Sequence, residues 1–253
     1  MSESIAAVAG SSRRRVWSEM LIVLGLSLGA SAVYSVVAIV NRLTQEKALS
    51  EQTATLNRAL SDREIFDLIY QLLAVFFGLM PVALVASLLW QAARPRLGGL
   101  GIDFRYPGRD AASGFALALL IGIPGIGLYL LARALGMNVD VIPTALNDYW
   151  WTIPILLLRA VLAGVTEEVI VIGYLFSRLR TLGFERWTII LGAAVLRGTY
   201  HLYQGFGSFI GNIAMGILFG WLYTRYGRLL PLVIAHILID AAVFVGYPWA
   251  AAT

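Results

Sequence analysis

The sequence predicts an all-α, polytopic membrane protein of about seven transmembrane helices. Its N-terminus is expected in the cytoplasm, and helices 4, 5 and 7 are expected to enclose a polar active-site cavity. Three observations predict this. Of 253 residues, 59% are hydrophobic and 13% charged, with a mean hydropathy of +0.77, more apolar surface than a soluble domain of this size needs. Apolar runs of about 20 residues recur, too long for barrel strands, and backbone polar groups in lipid must be satisfied within a segment, so the runs are helices. Basic residues and tryptophans also fall where membrane topology expects them.

Residues 1–15 read as a disordered cytoplasmic tail, small and polar up to Ser12 and then basic at Arg13, Arg14 and Arg15. The first helix follows over 16–40. It is too long for a signal-peptide core and shows no small-residue cleavage site, so it is expected to be retained. Gly25 and Gly29 stand at GxxxG spacing for close packing. Residues 41–64 mix charges and read as an extracytoplasmic connector, solvated or partly helical. Ser61 and Glu64 match a capping box opening the second helix, 65–92, with a kink at Pro81. A basic, glycine-rich loop covers 94–109. The third helix, 110–135, is loosened by Gly122, Pro124, Gly125 and Gly127, and a short acidic loop with Asp140 and Asp148 closes this first region, 16–149. A second unit, 150–250, holds helices at 150–179, 187–204, 207–225 and 229–247.

With the N-terminus inside, twelve arginines fall in cytoplasmic segments, and the outer loops are bare except for Arg42, Lys47, Arg58 and Arg63 in one loop and Arg133 near a helix end. Trp17, Trp90, Trp150, Trp151, Trp187 and Trp249 lie at predicted helix ends, as an aromatic belt requires. There is no cysteine, hence no disulfide, thiol nucleophile or thiolate metal site. The net charge of +4 does not point to nucleic acid. The expected partner is the lipid bilayer.

Seven ionisable residues remain inside the last four helices: Arg159, Glu167, Glu168, Arg197, His201, His236 and Asp240. Charges at bilayer depth are costly and face a protein interior or a cavity. Arg197 and His201 share one helix face, as do His236 and Asp240, each pair being four apart. At 1.5 Å per residue, His236 and Asp240 lie roughly 10 and 16 Å from the cytoplasmic start of their helix, Glu167 roughly 16 Å from the cytoplasmic end of its own, and Arg197 and His201 roughly 15 and 21 Å into theirs. They therefore share one slab at or just inside the midplane. A carboxylate beside a histidine can activate water, a second histidine can stabilise an oxyanion, and Asp240 could fix the tautomer of His236. These are the parts of an intramembrane peptide hydrolase. A proton-coupled transporter uses similar residues, although no internal repeat of the kind many transporters carry is present.

Glu167-Glu168 with Gly173, His201-Leu202-Tyr203-Gln204-Gly205, and His236 with Asp240 after Arg225-Tyr226-Gly227-Arg228 resemble the CPBP family, the CAAX-processing and bacteriocin-processing (Abi) intramembrane endopeptidases related to type II CAAX prenyl proteases. The resemblance covers roughly the last 100 residues. It implies a multi-pass protein of a bacterial plasma membrane that cleaves a membrane-associated or lipidated peptide. It implies Glu167 as activator of the water with Glu168 as its companion, His201 as a second holder of that water, and His236 with Asp240 at the oxyanion. If a metal such as zinc takes part, the implied ligands are Glu167, His201, His236 and Asp240. Two positions depart from the family pattern: Ile172 stands where an arginine is usual, and Arg197 where a phenylalanine is usual. The departures are expected to compensate, with Arg197 pairing with Glu168. The rival reading is a pseudoprotease that binds a membrane peptide in self-immunity or as a scaffold, with Arg197 locking the glutamates.

Overall fold

A computed structural model describes residues 2–90 and 97–246. Arg94, Arg96 and Trp249, used above for topology, lie outside the described residues. The chain is mostly helical: α1 (Ser2–Gly25), α2 (Leu28–Leu43), α3 (Glu64–Gly78), α4 (Met80–Leu88), α5 (Pro107–Ala134), α6 (Thr152–Glu167), α7 (Leu175–Thr181), α8 (Arg186–His201), α9 (Phe206–Tyr226) and α10 (Leu230–Ala241). Two strands interrupt it, β1 (Thr53–Arg58) and β2 (Asp140–Ala145).

The region 1–15, expected as a disordered tail, is helical from Ser2 onward. Its alanines and serines continue into the apolar stretch without a helix breaker stronger than one glycine. The first expected crossing is not one straight helix. α1 ends at Gly25, and α2 starts at Leu28 bent by 57°. Gly25 and Gly29 serve this bend rather than a helix–helix contact. A Cβ at Gly29 would lie 2.8 Å from the Leu24 carbonyl oxygen, on its own chain, and a Cβ at Gly25 would meet nothing.

The second helix starts where expected but not by a capping box. Arg63 is its N-cap, without a side-chain cap bond. Instead, the buried Asp67 reaches back and accepts from the Leu60 N–H at 2.8 Å. The expected kink is present: Leu79 separates α3 from α4, with Pro81 in the first turn of α4.

The connector at 41–64 and the acidic loop before helix 4 are not loops only. β1 and β2 pair in parallel, Thr53 opposite Asp140 and Arg58 opposite Ala145. The strands are short and carry threonine, valine and isoleucine, which suit a pleated surface. Ile39, Leu49, Ala54, Val139 and Val141 form a small core beneath them. The all-α expectation therefore needs one correction, a two-stranded sheet at the end of the bundle opposite the loop around Leu100.

At that other end the glycine-rich loop meets the α9–α10 turn. Arg228 donates to Asp110 through Nε at 2.9 Å and to Asp103 through Nη2 at 3.0 Å. The guanidinium beside Asp103 holds its carboxyl below the usual carboxylate range. Gly101 has φ +75°, and a Cβ there would fall 2.7 Å from the Cα of Arg228, so only glycine fits.

Among the described residues, three stretches are long and apolar enough to cross a membrane: Glu64–Leu88, Pro107–Ala134 and Phe206–Tyr226. The bent pair Ser12–Gly25 and Leu28–Leu43 makes a fourth if it is one crossing. Outward-facing leucines and isoleucines on α5, such as Leu120, Ile123 and Leu130, suit contact with lipid. This is an integral membrane protein. Of the expected tryptophan belt, Trp150 and Trp187 are exposed, but Trp151 is buried at the base of α6.

The centre of the molecule is the stretch that follows α6. Glu168–Tyr174 forms a π-helical turn of seven residues, all buried, joining α6 to α7 without a break. Val169, Ile170, Val171 and Ile172 pack there against Ile189, Ile190, Phe219 and Leu232 from α8, α9 and α10.

Candidate active site

Glu167 is the last residue of α6 and Glu168 the first of the π turn. Short π segments inside helices recur at functional sites because the widened turn re-aims side chains. Here they aim at α8. Arg197 is fully buried and places Nη2 2.5 Å from Glu168 Oε1 and 3.4 Å from Glu167 Oε2. Its guanidinium carbon stands 5.4 Å from the centre of the Phe219 ring. Gly216 on α9 keeps room beside it, since a Cβ there would lie 3.4 Å from Arg197 Cδ and 2.9 Å from Ala194 Cα.

α10 brings His236 to the same carboxylate. Its Nδ1 is 2.7 Å from Glu168 Oε1. Arg197 Nη2 lies 3.0 Å from that Nδ1, both nitrogens converging as donors on one oxygen. With Nδ1–H given to Glu168, the ring turns Nε2 toward Glu167 Oε2 at 3.9 Å and Asp240 Oδ2 at 3.7 Å. Neither is within hydrogen-bond reach. The carboxylate that orients His236 is thus Glu168. Asp240 shares the helix face with His236, as its spacing predicts, but the bond that fixes the ring comes from another helix.

The two glutamates differ in access. Glu168 is completely buried, whereas Glu167 is 8% exposed and lines a cleft of about 420 Å³ together with Leu28, Ser31, Ser35, Tyr200 and His201. The cleft runs between α2 and α8. His201, the last residue of α8, directs Nδ1 to the Arg197 carbonyl at 3.1 Å. A carbonyl only accepts, so Nδ1 carries the proton and Nε2 is left for the cleft. Glu167 stands midway along the continuous helix 152–181, 15 residues from one end and 14 from the other.

The expected metal ligands Glu167, His201, His236 and Asp240 do not suit a divalent ion. Among the described residues no three His, Asp or Glu side chains are arranged to hold one. A guanidinium already stands between the two glutamates, where it supplies the positive charge.

Other polar residues serve the frame. Arg159 donates to Gln71 Oε1 at 2.6 Å, and Gln71 in turn donates to Asp67, so Arg159 reaches an acidic group through an amide. Asn212 bonds to the Ser208 carbonyl of its own helix rather than across helices. Asn138, which carries no sequence signal, is buried and caps α9 by accepting from the N–H groups of Gly207 and Ser208. Ile172 is fully buried among apolar side chains. Tyr200 is the one functional-looking residue that the motifs do not flag. Its hydroxyl donates to Glu167 Oε2 at 2.8 Å.

Residues 149–242 match the family model described as Type II CAAX prenyl endopeptidase Rce1-like. Every residue of the cluster from Glu167 to Asp240 lies within the match, and α1 to α5 lie outside it. No curated protein and no solved structure matches the chain.

Proposed function

We propose that this chain is an intramembrane endopeptidase that hydrolyses a peptide bond with a glutamate-activated water, a reading supported by the match of residues 149–242 to the Rce1-like model. One observation carries the reading: Glu167 is the site carboxylate that reaches the cleft, and it does so beside His201. Water in the cleft gives a proton to Glu167, and its oxygen attacks the peptide carbonyl carbon. His201, through Nε2, holds that water. His236, bound to Glu168 through Nδ1 and flanked by Glu167 and Asp240, donates Nε2–H as an imidazolium to the oxyanion. The proton on Glu167 passes to the leaving nitrogen as the C–N bond breaks, giving a carboxylic acid and an amine.

The substrate is a membrane-associated peptide or a lipidated tail. It reaches the site laterally along α2, whose Ser31, Ser35 and Ala38 line the cleft. In this reading the chain crosses the bilayer seven times: α1–α2, α3–α4, α5, α6–α7, α8, α9 and α10. The sheet lies on the extracytoplasmic side of a plasma membrane.

Glu167→Gln keeps the shape and most polar contacts but removes the base. It is expected to lower cleavage of quenched fluorescent peptides at least 100-fold in purified protein, with unfolding unchanged. The second reading, a peptide-binding pseudoprotease, is favoured by Arg197, whose cation lies within 3.4 Å of the would-be base. Peptide binding without cleavage by folded wild type decides for it.

A further inference from the structure

We infer that Tyr200 is a positioning residue for Glu167, acting through the carboxylate it holds. The inference rests on the proteolytic reading above and deepens it. Glu167 needs one oxygen fixed and one presented to the cleft. All its close polar neighbours gather on Oε2: the Tyr200 hydroxyl at 2.8 Å, Arg197 Nη2 at 3.4 Å and His236 Nε2 at 3.9 Å. No hydrogen bond among the described residues uses Oε1. Of the three neighbours, only Tyr200 lies within good hydrogen-bond distance.

The other two cannot replace it. Arg197 Nη2 is drawn to Glu168 at 2.5 Å, and His236 is turned by its Nδ1 bond to the same residue. Without the hydroxyl, the Glu167 side chain would rotate freely about its terminal bond and would turn toward the guanidinium. A buried phenol and a carboxylate make a short, directional bond, which fixes that rotation. Tyr200 is 5% exposed and sits three residues from Arg197, so one helix face supplies both the cation for Glu168 and the hydroxyl for Glu167. The pair of carboxylates is thereby sorted into a buried anchor and a presented base.

The test compares wild type, Tyr200→Phe and Glu167→Gln, each as full chain in detergent. Two readouts are taken: peptide cleavage, and the infrared carboxylate stretch of Glu167, assigned by subtracting the Glu167→Gln spectrum. Phenylalanine keeps the ring and its packing, so the fold should be retained, with a loss of stability no larger than that of one hydrogen bond to a charged group. The expected result is a roughly ten- to hundredfold fall in kcat, the range for losing a hydrogen bond to a charged group, with KM within about twofold and a shifted Glu167 band. An unchanged kcat with an unmoved band overturns the positioning role and leaves the proteolytic reading standing. A rise in KM alone also overturns it and makes Tyr200 a packing residue of the cleft. If wild type cleaves nothing while the band still shifts, the contact is real but the proteolytic reading fails, and positioning for catalysis fails with it.

Discussion

Replacing Arg197 by methionine is expected to cost about 3–5 kcal/mol of stability, because Glu168 would stay buried with His236 as its one remaining donor. Equilibrium unfolding in mixed detergent measures this. The companion test is an exchange. Ile172→Arg alone forces a charge into a fully buried apolar site, and Arg197→Phe alone strips Glu168. Each should lose folding or cleavage, and the double variant should regain both if the cation is interchangeable between the two helices. A double variant no better than the worse single sinks compensation. The residues of this cluster are legible in the sequence because a charge inside an apolar run is expensive and stands out. Tyr200 is not, since an aromatic in such a run is ordinary packing. The role of Asp240 is misread for a related reason. A spacing of four identifies neighbours on one helix and is blind to the carboxylate that another helix supplies.

α8 and α9 cross closely, and their glycines are not equivalent. A Cβ at Gly198 would stand 2.7 Å from Ile213 Cγ1 and 2.9 Å from the Phe209 carbonyl oxygen, whereas a Cβ at Gly192 would meet nothing within 4 Å. Gly198→Ala should therefore destabilise by about 1–3 kcal/mol. Gly192→Ala, on the same helix, should stabilise by up to about 1 kcal/mol through helix propensity. Thermal unfolding of the two variants beside wild type checks the contrast. Helices of the second unit are legible to within a few residues, since each is a long apolar run with a clear breaker. The sheet is not. Thr53 finds its partner at Asp140, and nothing local announces a pairing across three intervening helices. The π turn is equally silent, because its β-branched run from Val169 to Ile172 lowers helix propensity without specifying a change of register.

The whole molecule has two ends, and the absence of cysteine makes them easy to distinguish. A single cysteine at Lys47, beside the sheet, should be labelled by an impermeant maleimide from outside intact cells. One at Phe104, 89% exposed at the Arg228 end, should be labelled only after permeabilisation. Labelling of both from one side would break the seven-span reading. Composition makes the membrane class legible at this scale. Span number is less so, because α8 is only 16 residues long and both it and the helix 152–181 carry charges that packing explains. The buried pair of Arg197 and Glu168 also has a consequence for biogenesis. Neither helix is a good client for the insertion machinery by itself, as an unpaired charge opposes partition into lipid. α6 emerges first and must wait, flanked by protein or by water, until the ribosome delivers Arg197 some thirty residues later. The ion pair then acts as a latch on insertion. In a nascent chain ending before α8, a cysteine placed in α6 should remain open to a water-soluble thiol label, and in one that includes α8 it should not.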